Sequence, residues 1–243
     1  MTKRIIPLLI LSISLCHNML AQDDDMPIIN PTATYTNYEG ESETSTNFSG
    51  NAPLTGVFMA NATNTDGWNT YYEWRFTLEN ETEPYLIRYE QDTEYTFTEA
   101  GTHIIVLYAT FTRGSETIEY TADFWGNEME PLRVTISESL LIMPNAFSPN
   151  NDQKNDTYKV KEYQSLVEFH AAIYNRWGQK LYEWDDPAAD GWDGTFHGRD
   201  VKQGVYFVVV EAKGADGRIY HIRRDVNLLR GYTDSTTTGP SNE

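Results

Sequence analysis

Short runs in which apolar and polar residues alternate recur along most of this 243-residue chain, and they leave little room for anything but β-structure. Between Asn51 and Ser139 the runs are Val57–Ala60, Tyr71–Phe76, Tyr85–Tyr89, Tyr95–Phe97, His103–Phe111, Thr117–Phe124 and Leu132–Ile136, with turn residues between them. Successive side chains of a strand point to opposite faces, so a period of two marks one buried and one wet face. No stretch carries a convincing 3.6-residue period. The chain is also rich in residues that suit a pleated, half-buried surface, with 16 Tyr, 10 Phe and 6 Trp. Many short strands separated by turn signals predict an antiparallel β-sandwich over 51–139.

A second set of runs begins at Leu140. Val167, Phe169, Ala171 and Ile173 alternate with Glu168, His170, Ala172 and Tyr174, and Gln179–Trp184 returns after a turn. Val205–Ala212 and Arg218–Leu229 are joined across Gly214-Ala215-Asp216-Gly217, where Asp and Gly accept the positive φ of a tight hairpin. The expected fold class is all-β: two tandem Ig-like antiparallel sandwiches, 51–139 and 140–232, which are not an internal repeat. Residues 22–50 are polar and read as a leader, and 233–243 as a loose polar tail.

The first 21 residues read as a cleaved signal peptide. Lys3 and Arg4 precede the apolar run Ile5–Leu15, too short to span a membrane, and Ala21 is a small residue at the expected cut. The single cysteine, Cys16, lies inside this segment. A lipoprotein signal would need a small residue where Leu15 stands. Cleavage after Ala21 leaves no thiol, so stability must come from burial and strand pairing. It also removes two bases and no acid, taking the net charge from -18 to -20. Residues 22–139 hold 21 acids and 4 bases, against 15 and 12 in 140–243. An acidic front half argues against nucleic acid or an anionic membrane as ligand.

No catalytic set emerges. His103, His170, His197 and His221 have no metal-ligand spacing, and there is no nucleophile elbow, phosphate loop or dinucleotide fingerprint. Asp185-Asp186 has no second carboxylate placed opposite it. The expectation is a protein that is not an enzyme. In Asn150-Asn151-Asp152-Gln153-Lys154-Asn155-Asp156, alternating oxygen side chains suit either one structural calcium, held by Asn150, Asp152, Asn155 and Asp156, or an Asx-turn network without an ion. No other cofactor is expected.

Five landmarks in the last part of the chain carry a resemblance. They are Pro144-Asn145-Ala146-Phe147-Ser148-Pro149-Asn150, Ile173-Tyr174-Asn175-Arg176-Trp177-Gly178, Gly191-Trp192-Asp193-Gly194-Thr195, Gly204-Val205-Tyr206-Phe207 and Asp225-Val226-Asn227-Leu228-Leu229-Arg230. In this order they resemble the gliding motility-associated C-terminal domain, the type B sorting domain of the type IX secretion system. The family's usual loop after the first landmark is Asn-Gly-Asp-Gly-x-Asn-Asp, so Asn151 and Gln153 stand where it has glycine. The resemblance implies an exported protein, on the outer-membrane cell surface or released, whose partner is the type IX outer-membrane machinery. Trp177 and Trp192 each read either as part of the recognised surface or as cover for an open sandwich end. Arg223, Arg224 and Arg230 read as a solvated strand face or as a docking patch.

Residues 51–139 resemble a polycystic-kidney-disease (PKD) repeat, through Ala52-Pro53-Leu54-Thr55 and Tyr95–Thr102, with Trp74 as the buried tryptophan. The resemblance bears on fold more than ligand; a compact sandwich with exposed aromatics and acidic loops suits binding or spacing, with a surface glycan or a protein as ligand, and its acidity argues against nucleic acid. The alternative is a structural or accessory component of the gliding or secretion apparatus.

Overall fold

The computed structural model describes residues 26–230; the expected signal peptide with Cys16, and the expected tail from 233, lie outside them. Ten strands make the front half: β1 (Thr32–Thr36), β2 (Ser42–Thr44), β3 (Asn47–Gly50), β4 (Leu54–Met59), β5 (Asn69–Leu78), β6 (Leu86–Arg88), β7 (Asp92–Phe97), β8 (Gly101–Arg113), β9 (Glu116–Tyr120) and β10 (Leu132–Ile136). One sheet runs β2-β1-β4-β7 and the other β3-β10-β8-β5-β6. The long β8 pairs with β5 along one side, and shares its other side between β10 and β9. All pairs are antiparallel except β3 with β10.

The alternation seen in the sequence decides which face is buried. Along β8 every second residue from His103 to Phe111 is buried, and β5 buries Tyr72, Trp74 and Phe76. Tyr35, Phe58 and Phe97 come from the facing sheet, and Phe58 lies 5.1 Å from Phe76 and 5.8 Å from Trp74 between ring centroids. Trp74 is fully buried, and its indole donates to the Gln91 carbonyl at 3.0 Å. An all-β sandwich thus forms as expected.

The leader reading of 22–50 needs correction. From Met26 the segment belongs to the front sandwich: it supplies β1, β2 and β3, buries Ile29, Ala33 and Tyr35, and offers the Pro27 carbonyl to the Tyr120 hydroxyl. It looked like a leader because β2 is exposed at every position, and because cross-strand contacts such as Thr34–Thr44 and Thr36–Ser42 are hydroxyl pairs. Such pairs stabilise a ladder without any apolar signature.

The second half contains β11 (Leu140–Ile142), β12 (Ala146–Phe147), β13 (Glu162–Gln164), β14 (Leu166–Tyr174), β15 (Lys180–Trp184), β16 (Thr195–Phe196), β17 (Arg199–Asp200), β18 (Gly204–Gly214) and β19 (Ile219–Leu228). Its main sheet runs β12-β19-β18-β14-β15. The facing layer is thin, made of the two-stranded pairs β11–β13 and β16–β17 and of loops carrying Tyr158, Val160 and Trp192. Phe169, Ala171 and Ile173 are buried as the alternation requires, but Ala172, expected on the wet face, is buried as well. Val167 is not with them: a register shift between Leu166 and Glu168 puts Leu166 in the second core and turns Val167 to the front one.

His103 is the one buried histidine among the described residues. Its Nε2–H donates to the Glu99 carbonyl at 3.0 Å, so its Nδ1 accepts the Tyr85 hydroxyl at 2.9 Å. Burial pushes the imidazole below its ordinary value, only partly offset by the Glu99 carbonyl. The unfolded chain then binds a proton that the folded one refuses. The resulting contribution to stability is intact above about pH 6.5 and is lost as pH falls from there towards the folded value. Between pH 7 and 5 the melting temperature should fall, with a slope of up to about 1.4 kcal/mol per pH unit from this site. Calorimetry of His103→Gln should show that component gone.

Candidate functional site

Four of the five landmarks meet at one end of the second sandwich. Trp192 is fully buried there and Tyr158 beside it; the two exchange backbone hydrogen bonds at 2.8 and 3.0 Å. Phe147 and Tyr206 approach the indole ring at 5.4 and 5.1 Å between centroids. The indole N–H donates to the Thr195 carbonyl at 2.8 Å, and the Tyr158 hydroxyl donates to the Pro144 carbonyl at 3.0 Å. Gly191 is required on two counts: its φ is +76°, and a Cβ would sit 2.2 Å from the Tyr158 carbonyl oxygen. The Asp193 carboxylate accepts the backbone N–H and the hydroxyl of Thr195, shaping the turn behind the tryptophan.

The closing landmark ties this end down. The Asn145 carbonyl accepts the Asn227 amide and the Phe147 carbonyl accepts the Leu229 amide, which joins β12 in parallel to β19. Leu228 is fully buried while Leu229 is partly exposed. Arg230 donates to the Gly194 carbonyl at 2.8 Å and the Val201 carbonyl at 3.1 Å, and pairs with Asp200 at 3.3 Å. Gly204 opens β18 with φ +150°, and Pro149 packs near Gly194. Arg230 is therefore a strut. Arg223 and Arg224 are both exposed, and Arg224 donates to the Met143 carbonyl.

The remaining landmark is displayed. In the turn between β14 and β15 the Asn175 side-chain oxygen accepts the amides of Trp177 at 2.9 Å and Gln179 at 3.1 Å, and Gly178 takes φ +78°. The backbone is thereby fixed, yet Trp177 is 85% exposed and Arg176 is exposed beside it. Phe207, 44% exposed, is the register partner of Tyr174 at the foot of this turn. A tryptophan carries on the order of 200 Å² of surface. Covering it is worth roughly 5 kcal/mol, the scale of an interface hot spot.

In the loop 150–156 the side-chain oxygens of Asn150, Asp152 and Asp156 turn inward onto amides. Asp156 accepts the amides of Asn150, Asn151 and Gln153 at 2.7–2.9 Å. Asp152 accepts the Lys154 amide and the Asn150 side-chain N–H, and Asn150 Oδ1 accepts the Asp152 amide. The Asn150 side chain, with help from the Lys154 amide, holds the Asp152 carboxyl below the usual range. Asn155 offers its carbonyl to Ser148. This is the geometry of an Asx-turn network, in which a calcium ion would compete with these amides for the same oxygens. Among the described residues no group of three His, Cys, Asp or Glu side chains could hold a metal.

A cleft of about 740 Å³ opens between the sandwiches. Tyr38 and Tyr163 stand across it with hydroxyls 2.5 Å apart, and Phe48, Pro53, Asp185 and Pro187 line it. Asp185 bonds His170 at 2.6 Å. Neither the cleft nor Tyr158 stood out in the sequence, because the partners are far apart in the chain and of ordinary type.

The second half is thus a small antiparallel sandwich closed by one tryptophan and carrying another on its surface. Residues 141–221, about a third of the chain, match the CHU_C Type IX secretion signal domain family. A domain of this kind marks its chain for export beyond the cell by the type IX route. No curated protein matches the chain. Among solved structures, the chain is similar to dimeric latent PorU from Porphyromonas gingivalis at 14% identity and TM-score 0.25, over 85% of this chain and 20% of that one. It thus spans only about a fifth of the PorU chain. It is also similar to a tetra-tandem repeat from the extending region of a large adhesion protein, at 11% identity and TM-score 0.27, covering 84% and 68%. The fibronectin(III)-like modules of Clostridium thermocellum CbhA match at 10% identity and TM-score 0.21, covering 81% and 94%.

Two stability predictions follow from this geometry. Trp192→Ala should cost about 3–5 kcal/mol in urea unfolding, whereas Trp177→Ala should change it by less than about 0.5 kcal/mol. In the loop, Gln153 is held at φ +67°, where the family has glycine. Gln153→Gly should therefore stabilise by about 1 kcal/mol, and exchanging calcium for a chelator should leave the melting temperature of the native chain unmoved.

Proposed function

We propose that this is an exported, non-catalytic protein of the cell surface or surroundings, and that the type IX outer-membrane machinery reads its second sandwich at the Asn175–Gly178 turn. The observation that carries this reading is Trp177: fixed by Asn175, flanked by Arg176 and Phe207, and almost wholly exposed. A preformed patch costs little ordering entropy when a partner covers it, so a folded surface can serve as an address. The front sandwich, PKD-like in its Trp74 core, serves binding or spacing. The cleft beside Tyr38 and Tyr163 is where a surface glycan or protein segment would lodge, since ligand sites favour clefts of this size between domains.

The test uses the full chain in a host with a type IX system, followed by immunoblotting of periplasm, outer surface and medium. Trp177→Ala, with an unchanged melting temperature, should leave the protein in the periplasm, as deletion of 140–243 should. Normal delivery of a stably folded Trp177→Ala protein would sink the proposed reading surface. Normal delivery of the deletion would sink the sorting role altogether.

A further inference from the structure

The two sandwiches are joined by more than the peptide between Ser139 and Leu140. Ser165, between β13 and β14, is buried and held at φ +45°. Its Oγ accepts the Ala52 amide at 3.1 Å and lies 2.6 Å from the Ser137 Oγ. Ser137 in turn donates to Asn51 Oδ1 at 2.6 Å. With that hydroxyl proton committed, the Ser165 hydroxyl must donate to Ser137. The result is a closed ring, from the Ala52 amide through Ser165 and Ser137 back to Asn51, which needs a residue of the second sandwich to close.

The β18–β19 turn makes a second contact. Ala215 is buried within the front core cluster, its carbonyl accepts the Ala100 amide at 3.0 Å, and its amide donates to the Ser165 carbonyl at 2.9 Å. Val167 packs against the same front core. Asp216 accepts the Ser139 hydroxyl at 2.7 Å and its amide at 3.3 Å, pinning the chain at the crossing point. A Cβ on Gly214 would lie 2.1 Å from the Ser139 Oγ, so turn and crossing are in contact.

Separating the sandwiches would strip partners from buried amides and uncover Ala215 and Val167. We propose that the two sandwiches fold and unfold as one cooperative unit, clamped by Ser165 and the Gly214–Gly217 turn. Resting on the sorting reading above, this clamp makes a stable signal surface conditional on a folded front sandwich.

The experiment is hydrogen exchange on the chain from Gln22 onward. Trp74→Ala, deep in the front core, should speed exchange of the most protected β18 amides by the same factor as those of β5. Should that variant not fold, Ile105→Val reports the same coupling with a several-fold change. Adding Ser165→Gly, which tolerates the positive φ but lacks the hydroxyl, together with Ala215→Asp, should confine the acceleration to the front sandwich. Unchanged β18 exchange in the front-core variant would overturn the proposal, and so would full coupling that survives removal of the clamp. No secretion is involved, so failure here leaves the sorting reading intact, and a failed export test leaves the coupling intact.

Discussion

The second sandwich depends on one ring being in place. Its main sheet has five strands but faces only two short ladders and loops, so one end of its apolar face would stand open to water. Trp192 fills that end, and the neighbouring geometry serves its approach. Gly191 lets the backbone lie against Tyr158, Phe147 and Tyr206 supply ring contacts, and the indole N–H finds the Thr195 carbonyl. The polar atom of a deeply buried aromatic usually finds a partner, and here it does.

Once that end is closed, a division of labour among the landmarks becomes clear. Those around Phe147, Trp192, Tyr206 and Arg230 hold their aromatic rings and Leu228 within or against the core, although Asn145, Asp193, Val205 and Leu229 reach solvent. The turn at Asn175 combines a fixed backbone with the most exposed aromatic of the set, with the less exposed Phe207 at its foot. A signal read as a shape needs both kinds of residue: without the first there is no platform, and without the second the platform presents nothing to hold. The two tryptophans of the motif set, alike in sequence context, thus have opposite fates.

The sequence carried the strands of the front core openly, since β5 and β8 are long enough for their alternation to be unambiguous. It did not carry β1–β3, whose stabilising contacts are threonine, serine and backbone pairs that resemble a polar linker. The burial of Trp192 was legible in its two glycines, whereas the exposure of Trp177 was not, because the same turn residues serve either outcome. Tyr158, Ser165 and Ala215 were invisible for a different reason. Their importance comes from partners far along the chain, 113 positions apart for Ala52 and Ser165, and no local pattern encodes such a meeting. The register shift at Val167 was hidden likewise, since a bulge moves one side chain to another core without altering the composition of the strand.

The junction bears on what kind of tandem this is. A spacer domain on a loose linker would let its neighbour tumble freely, and contacts across the boundary would be few and wet. Here the boundary is short, Ser139 and Ser165 are buried and Ser137 half-buried, and the hydroxyl of each is hydrogen-bonded. Beyond Cys16 the chain has no cysteine, so no covalent staple holds this arrangement, and the acidic front half carries like-charge repulsion that burial must offset. Directional hydrogen bonds suit that task, because a ring closed through Asn51, Ser137 and Ser165 tolerates little displacement before all its members lose their partners at once. Under the coupling proposed above, the exposed turn and the interdomain cleft belong to one cooperative unit.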